Sequence, residues 1–175
     1  GRAIPFDRLL LATGAEPVRP PIPGADQPHV FTLRSLADSR AIIAGIEDAR
    51  SAVVLGSGFI GLETAASLRS RGLAVHVVSL DERPLGKVLG SAVGDFIRGV
   101  HESHGVTFHM NDSLASIGRR SVVLGSGAEV DADLVVIGVG VRPRVSLAEG
   151  ARLPVARGIL VDAHLETPVS GIYAA

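Results

Sequence analysis

The 175-residue chain has no cysteine and no tryptophan. The first absence excludes a disulfide framework, a thiolate zinc site and a cysteine nucleophile within this chain. With disulfides absent, a reducing cytoplasm is the default expectation. Aromatic residues make up 3%, too few for the stacking platforms that hold single-stranded nucleic acid. A surplus of either charge is also missing, since 17 basic residues face 18 acidic ones. A nucleic-acid surface would need a local basic patch that this balance does not supply, and none is expected. Lys87 is the only lysine. No apolar run reaches the roughly 18–20 residues of a membrane helix, and no signal-peptide pattern opens the chain, so no membrane partner is expected.

What the chain does contain is core-forming material: 46% hydrophobic against 20% charged residues, enough to exclude disorder. The length fits one domain, or one domain with pieces of another. The first residue is Gly1 rather than Met, and Gly171-Ile172-Tyr173-Ala174-Ala175 reads as a strand cut short. Both features lead us to expect a piece excised from a longer protein.

Residues Phe6 to Ala12 form a short apolar run ended by Thr13-Gly14, a buried strand by pattern. Pro17, Pro20, Pro21, Pro23 and Pro28 then define an extended connector, the strongest boundary signal in the chain. Ser35 and Asp38 form a capping-box start, and Leu36, Ile42, Ile43 and Ile46 continue at helical spacing, predicting a helix over Ser35 to Ala49. Ser51 to Leu55 predicts a strand, Phe59 to Arg71 a helix closed by Gly72, and Val75 to Leu80 a strand. Ser91 to His104 predicts a helix closed by Gly105, and Val106 to Met110 another strand. Three short runs follow, Leu114 to Ile117, Ser121 to Leu124 and Glu129 to Asp131, separated by turn residues as in a hairpin meander. Leu134 to Ile137 is a last buried strand before Gly138-Val139-Gly140; Ile159 to Val161 and Ile172 to Ala174 are two further short strands. This order predicts an α/β fold, a Rossmann-like parallel sheet with an antiparallel β-meander insertion.

One hexapeptide, VVLGSG, occurs twice, at Val53 to Gly58 and at Val122 to Gly127. In the first copy Gly61 completes G-x-G-x-x-G, with a strand before it and a helix after it. Gly56 would allow the tight turn, Gly58 the approach of a pyrophosphate to the backbone, and Gly61 close packing of helix on strand. The free N–H groups at that helix start would attract the phosphates. In the second copy the third glycine position is Val130, with Asp131 and Asp133 close by, and no helix begins. That copy reads as a hairpin turn without a ligand. The acid that would bind the adenosine ribose lies about 20 residues past the motif. The residue there is Ser79, followed by Leu80-Asp81-Glu82-Arg83. Either Asp81 or Glu82 reaches back to the ribose, or the site takes a 2′-phosphate with Arg83 as its partner, or the loop is simply solvated. NADH against NADPH stays open at this point.

Four segments carry a resemblance: FDRLLLATGAEP (Phe6 to Pro17), GSGFIGLETAASLRSRG (Gly56 to Gly72), DLVVIGVGVRPR (Asp133 to Arg144) and GILVDAHLETPVSGIYAA (Gly158 to Ala175). Together they resemble the pyridine-nucleotide-binding half of the FAD-dependent pyridine nucleotide-disulfide oxidoreductases. GFIGLE and RPLGKVLG favour the ferredoxin-reductase-like branch, which includes rubredoxin and putidaredoxin reductases and the apoptosis-inducing-factor-like proteins. The resemblance implies flanking pieces of a split FAD domain at 1–33 (with the proline-rich linker) and 146–175, around an NAD(P)-binding domain at 34–145. It implies NAD(P)H and FAD as cofactors and hydride transfer between them. Electrons would pass on to an iron–sulfur partner of the ferredoxin, rubredoxin or Rieske type. Thr13 and Gly14 would lie near the flavin, Glu63 near the nicotinamide, and Ile60 and Gly140 along the path between the two cofactors. Phe59, Gly138 and Val139 would complete the cofactor contacts. The family's FAD fingerprint would precede Gly1 and its Gly-Asp pair would follow Ala175, so this piece alone would hold FAD poorly and be inactive. Rival readings are a nucleotide-binding, apoptosis-inducing-factor-like module with little turnover, the NAD(P) domain of a nitrite or disulfide reductase, and an unrelated Rossmann dehydrogenase.

The remaining constellations read as structural. His101 and His104 sit at i, i+3 near a helix end with His109 beyond, and two histidines there suit the helix dipole better than a metal. Glu63 also suits a first helical turn without any cofactor role. Arg142 and Arg144 flank Pro143 after the last strand, in a turn that is either solvated or in touch with the cofactor phosphates or the FAD domain.

Overall fold

A computed structural model describes residues 2–175, which divide into two compact units: Pro17–Gly140, and residues 2–16 with Val141–Ala175. Along the chain the elements are β1 (Leu9–Leu11), β2 (Ala15–Pro17), β3 (Val30–Thr32), α1 (Leu36–Gly45), β4 (Ser51–Leu55), α2 (Phe59–Ser70) and β5 (Ala74–Ser79). Then come α3 (Gly86–Leu89), α4 (Ser91–Ser103), β6 (Val106–Met110), β7 (Leu114–Ile117), β8 (Ser121–Leu124), β9 (Glu129–Asp131) and β10 (Leu134–Ile137). The last are β11 (Val141–Pro143), α5 (Ser146–Gly150) and β12 (Ile172–Ala174).

In the larger unit, β4 and β10 are buried at every position, the signature of central parallel strands covered on both faces. They lie in a five-stranded parallel sheet of order β3-β10-β4-β5-β6. Alternation along each strand divides the side chains between two cores. Val54, Val77 and Val136 point to the face where Ile42 of α1 and Leu62 and Leu68 of α2 pack. Val53, Val78 and Val135 point to the other, where the meander β7-β8-β9 lays down Leu114, Val122 and Leu124. Each fully buried Val or Leu contributes about 1.5–3 kcal/mol, so the meander is part of the core. Asp133 fixes the register at the sheet's lower edge. It accepts from Arg50 N at 2.9 Å and from Ser51 Oγ at 3.0 Å, and these donors hold its carboxyl below the usual range.

The capping box is formed: Ser35 Oγ accepts from Asp38 N, and Asp38 accepts from Ser35 N. The helix stops at Gly45, short of Ala49, where Ile46 and Ala49 close successive turns. The larger unit takes in Val30–Thr32, which pairs with β10 and joins the sheet. Ile159 to Val161 is not a strand. Only Ile159 bridges, to Val155, and the next rung fails because Pro154 has no N–H to return. In the smaller unit, β1 and β12 pair in parallel over a core that includes Leu11, Ala148, Leu153 and Ala174. Among the described residues no helix is long and apolar enough to cross a membrane.

His76 and His109 stand side by side on β5 and β6, with His76 Nδ1 3.0 Å from His109 Nε2. Burial first, and then the neighbouring His109, hold the His76 pKa below 6.5. Unfolding restores the ordinary value, so the unfolded chain binds more protons as pH drops below about 6.5. Stability is therefore complete above that pH and falls through the depressed folded pKa. The urea midpoint should drop between pH 7.5 and 5.5, and by less in His76→Gln. An unchanged slope in that variant would remove the pair from the account.

Candidate functional site

The site grows from the end of β4. Gly56 takes φ +113, and its N–H donates to Val78 O at 2.8 Å, closing the turn over the neighbouring strand. Only glycine suits that backbone. A Cβ on Gly56 would overlap the carbonyl oxygen of Gly138, and a Cβ on Gly61 would overlap the carbonyl oxygen of Gly56. Gly138 in turn lies 3.5 Å, measured from its own Cβ position, from Gly61 Cα. Three glycines from β4's end, α2 and β10's end thus meet backbone to backbone.

Gly58 is different. Its Cβ would meet nothing within 4 Å, so the space above it belongs to no part of the protein. Gly58 is also the N-cap of α2, and no side chain caps that helix end. The first N–H groups of α2 are left for an outside acceptor, and the helix dipole favours an anion there. Phe59 and Ile60, in the first turn, are 53% and 48% exposed, and Val139 beyond β10 is 42% exposed. Large apolar side chains therefore rim a backbone cradle that offers polar N–H groups. Gly140, at φ +112, closes this side by accepting from Val18 N at 3.0 Å.

The other expected residues fall around this cradle or away from it. Ser79 ends β5 and is buried, its Oγ 2.9 Å from Ser57 Oγ within the glycine turn. Arg83 donates to Asp95 at 2.7 Å and also to Glu82, and these two acids raise its pKa. Its guanidinium is thus shared between two acids of the same surface. Lys87 pairs with Asp81 at 2.5 Å. Glu63 is exposed and lines a groove with Ser39, Ile43 and Ser67 between α1 and α2. In the smaller unit, Thr13 Oγ1 donates to Arg144 O at 2.6 Å, and Gly14, at φ +66, accepts from Arg144 N at 2.9 Å. Arg142, largely exposed, pairs with Glu16 at 2.5 Å.

The second VVLGSG copy ends in a two-strand turn. Gly127 sits at φ +88, and Leu124 N donates to Ala128 O at 2.8 Å. Asp112 caps the turn through Ser126 Oγ at 2.6 Å, and these donors lower the Asp112 pKa. The histidines do not converge: His101 lies edge-on to Phe108, His104 Nδ1 lies 2.8 Å from Val100 O, and His109 pairs with His76. Sequence reasoning missed the Ser57–Ser79 bond and Gly138's part in the glycine contact. The Gly-Val-Gly after a fully apolar strand was the available signal for the latter.

A family model described as pyridine nucleotide-disulphide oxidoreductase matches residues 1–175. Rhodocoxin reductase of Rhodococcus erythropolis is 40% identical over 98% of this chain and 42% of its own length. Rubredoxin-NAD(+) reductase of Pseudomonas putida is 35% identical over 99% of this chain and 46% of its own. The crystal structure of a ferredoxin reductase from Rhodopseudomonas palustris superposes with a TM-score of 0.96 at 38% identity, over 99% of this chain and 44% of that one. The reductase in a covalent putidaredoxin reductase–putidaredoxin complex superposes with a TM-score of 0.93 at 30% identity, over 99% and 44%. The chain spans less than half the length of these relatives.

Proposed function

Because this chain belongs to the pyridine nucleotide-disulphide oxidoreductase family, whose members use FAD and NAD(P)H, we propose that Pro17–Gly140 is the NAD(P)H-binding domain of a flavoprotein reductase. The observation that carries this reading is the contrast among the motif glycines. Gly56 and Gly61 are filled by backbone from within, and Gly58 alone opens on space. A plain structural turn has no need of an open glycine under an uncapped helix end. A pyrophosphate needs both.

The cradle fits the nucleotide as follows. Gly58 and the first N–H groups of α2 hold the pyrophosphate. Phe59, Ile60 and Val139 supply apolar surface for the rest of the cofactor and keep water from it. Glu63, farther along α2, would meet the nicotinamide end, a role supported by the family resemblance of the Gly56–Gly72 segment. The bound nicotinamide supplies a hydride and FAD accepts it, chemistry that belongs to the cofactors. Residues 2–16 and 141–175 are segments of the FAD domain, with Thr13 and Gly14 at its edge. Electrons pass on to an iron–sulfur protein, a reading supported by relatives named for rubredoxin and by the reductase crystallised with putidaredoxin.

The test is a titration of the purified protein with NADH, followed by nicotinamide fluorescence, which no tryptophan of the chain disturbs. Saturable one-to-one binding is expected. Absence of binding by folded protein would overturn the reading.

A further inference from the structure

A dinucleotide site that selects an unphosphorylated adenosine ribose places a carboxylate at the end of the second strand, where it accepts from the ribose 2′-hydroxyl. The same negative charge repels a 2′-phosphate. In this chain β5 ends on Ser79, 5% exposed. Its hydroxyl is used internally, lying 2.9 Å from Ser57 Oγ and accepting from Asp81 N at 3.2 Å. Ser79 therefore brings no charge to the ribose end.

The acids that follow are each drawn toward a cation. Asp81 is paired with Lys87 at 2.5 Å. Glu82 is paired with Arg83, which also holds Asp95 at 2.7 Å. Between Ser79 and these pairs stands Leu80, uncharged and 77% exposed. The strand end thus presents a neutral residue, an apolar residue and carboxylates already matched to cations.

We propose that the ribose end of this site does not discriminate against a 2′-phosphate, so that NADPH and NADH are bound alike, and that Ser79 is the residue that removes the discrimination. This rests on the nucleotide-site reading above.

The experiment measures the dissociation constants of both nucleotides by nicotinamide fluorescence. In the wild type the NADPH value lies within tenfold of the NADH value, or below it. In Ser79→Glu the ratio of NADPH to NADH values rises more than tenfold. Since position 79 is buried, Leu80→Asp sets a similar charge beside the site from an exposed position, and it too raises the ratio. Leu80→Asn, which matches the size of the aspartate but adds no charge, keeps the wild-type ratio. A wild-type NADPH value more than tenfold above that of NADH overturns the proposal, and so does an unchanged ratio in both charged variants. Failure of both nucleotides to bind is a separate result, and it removes the nucleotide-site reading together with this one.

Discussion

Gly58→Val should bind NADH about 100-fold more weakly than the wild type, a loss of about 2.7 kcal/mol, with only the small drop in thermal unfolding that a valine N-cap brings. The two halves of this expectation come from the same geometry. Gly58 has φ -80 and ψ -176, an extended backbone that a β-branched residue adopts readily. A Cβ there meets nothing within 4 Å, so the fold has no atom to displace. The ligand has, because the valine methyls occupy the approach to the first N–H groups of α2. The repeated hexapeptide supplies the control. Gly127 is the counterpart of Gly58 in the second VVLGSG, and its φ of +88 makes a valine strained by about 1–2 kcal/mol. Gly127→Val should lower the melting temperature and leave the NADH titration where it was. Equal loss of binding in both variants would show that the two copies had been wrongly separated.

Gly61→Ala, three residues further along, should damage the fold instead. A single methyl at that position overlaps the carbonyl oxygen of Gly56 and lies 3.0 Å from its carbonyl carbon. Those atoms are backbone and are held from the other side by Gly138, so no rotamer change relieves the overlap. Helix α2 must move off β4, at a cost of about 3 kcal/mol. Since a small domain carries only about 5–15 kcal/mol of stability, the urea midpoint should shift clearly downward. A midpoint equal to that of the wild type would mean that α2 is free to slide on the sheet, and the close approach would lose its structural meaning. Within one motif, then, Gly58 answers for binding and Gly61 for stability.

The glycine motif was legible because its evidence is local. A strand, a tight turn and a helix follow each other within 20 residues, and each leaves its own pattern of apolar and glycine residues. The meander was legible for the same reason, with turn residues marking each reversal. β3 was not. Three residues, Val30–Thr32, follow a run of prolines, and nothing nearby says that they will pair with β10 a hundred residues later. The partners of Arg83 were hidden in a similar way. Next to Asp81 and Glu82 in sequence it reads as a cation free to meet a phosphate, and only the folded chain brings Asp95 of α4 against it. Ser79 could be read as a missing acid, but its bond to Ser57 depends on two strand ends meeting.

The order of strands in the sheet also bears on how the site comes into being. β10 lies between β3 and β4, yet it is the last of the five to leave the ribosome. Its two ladders close the longest loops in the sheet, which is the slow, entropically costly kind of pairing. Gly138, at its end, is the floor against which Gly56 rests. The β4-turn-α2 segment therefore carries the whole fingerprint while the nascent chain still lacks the cradle. On the nucleotide-site reading, the cradle is complete only once β10 stands between β3 and β4 and brings Gly138 against the glycine turn.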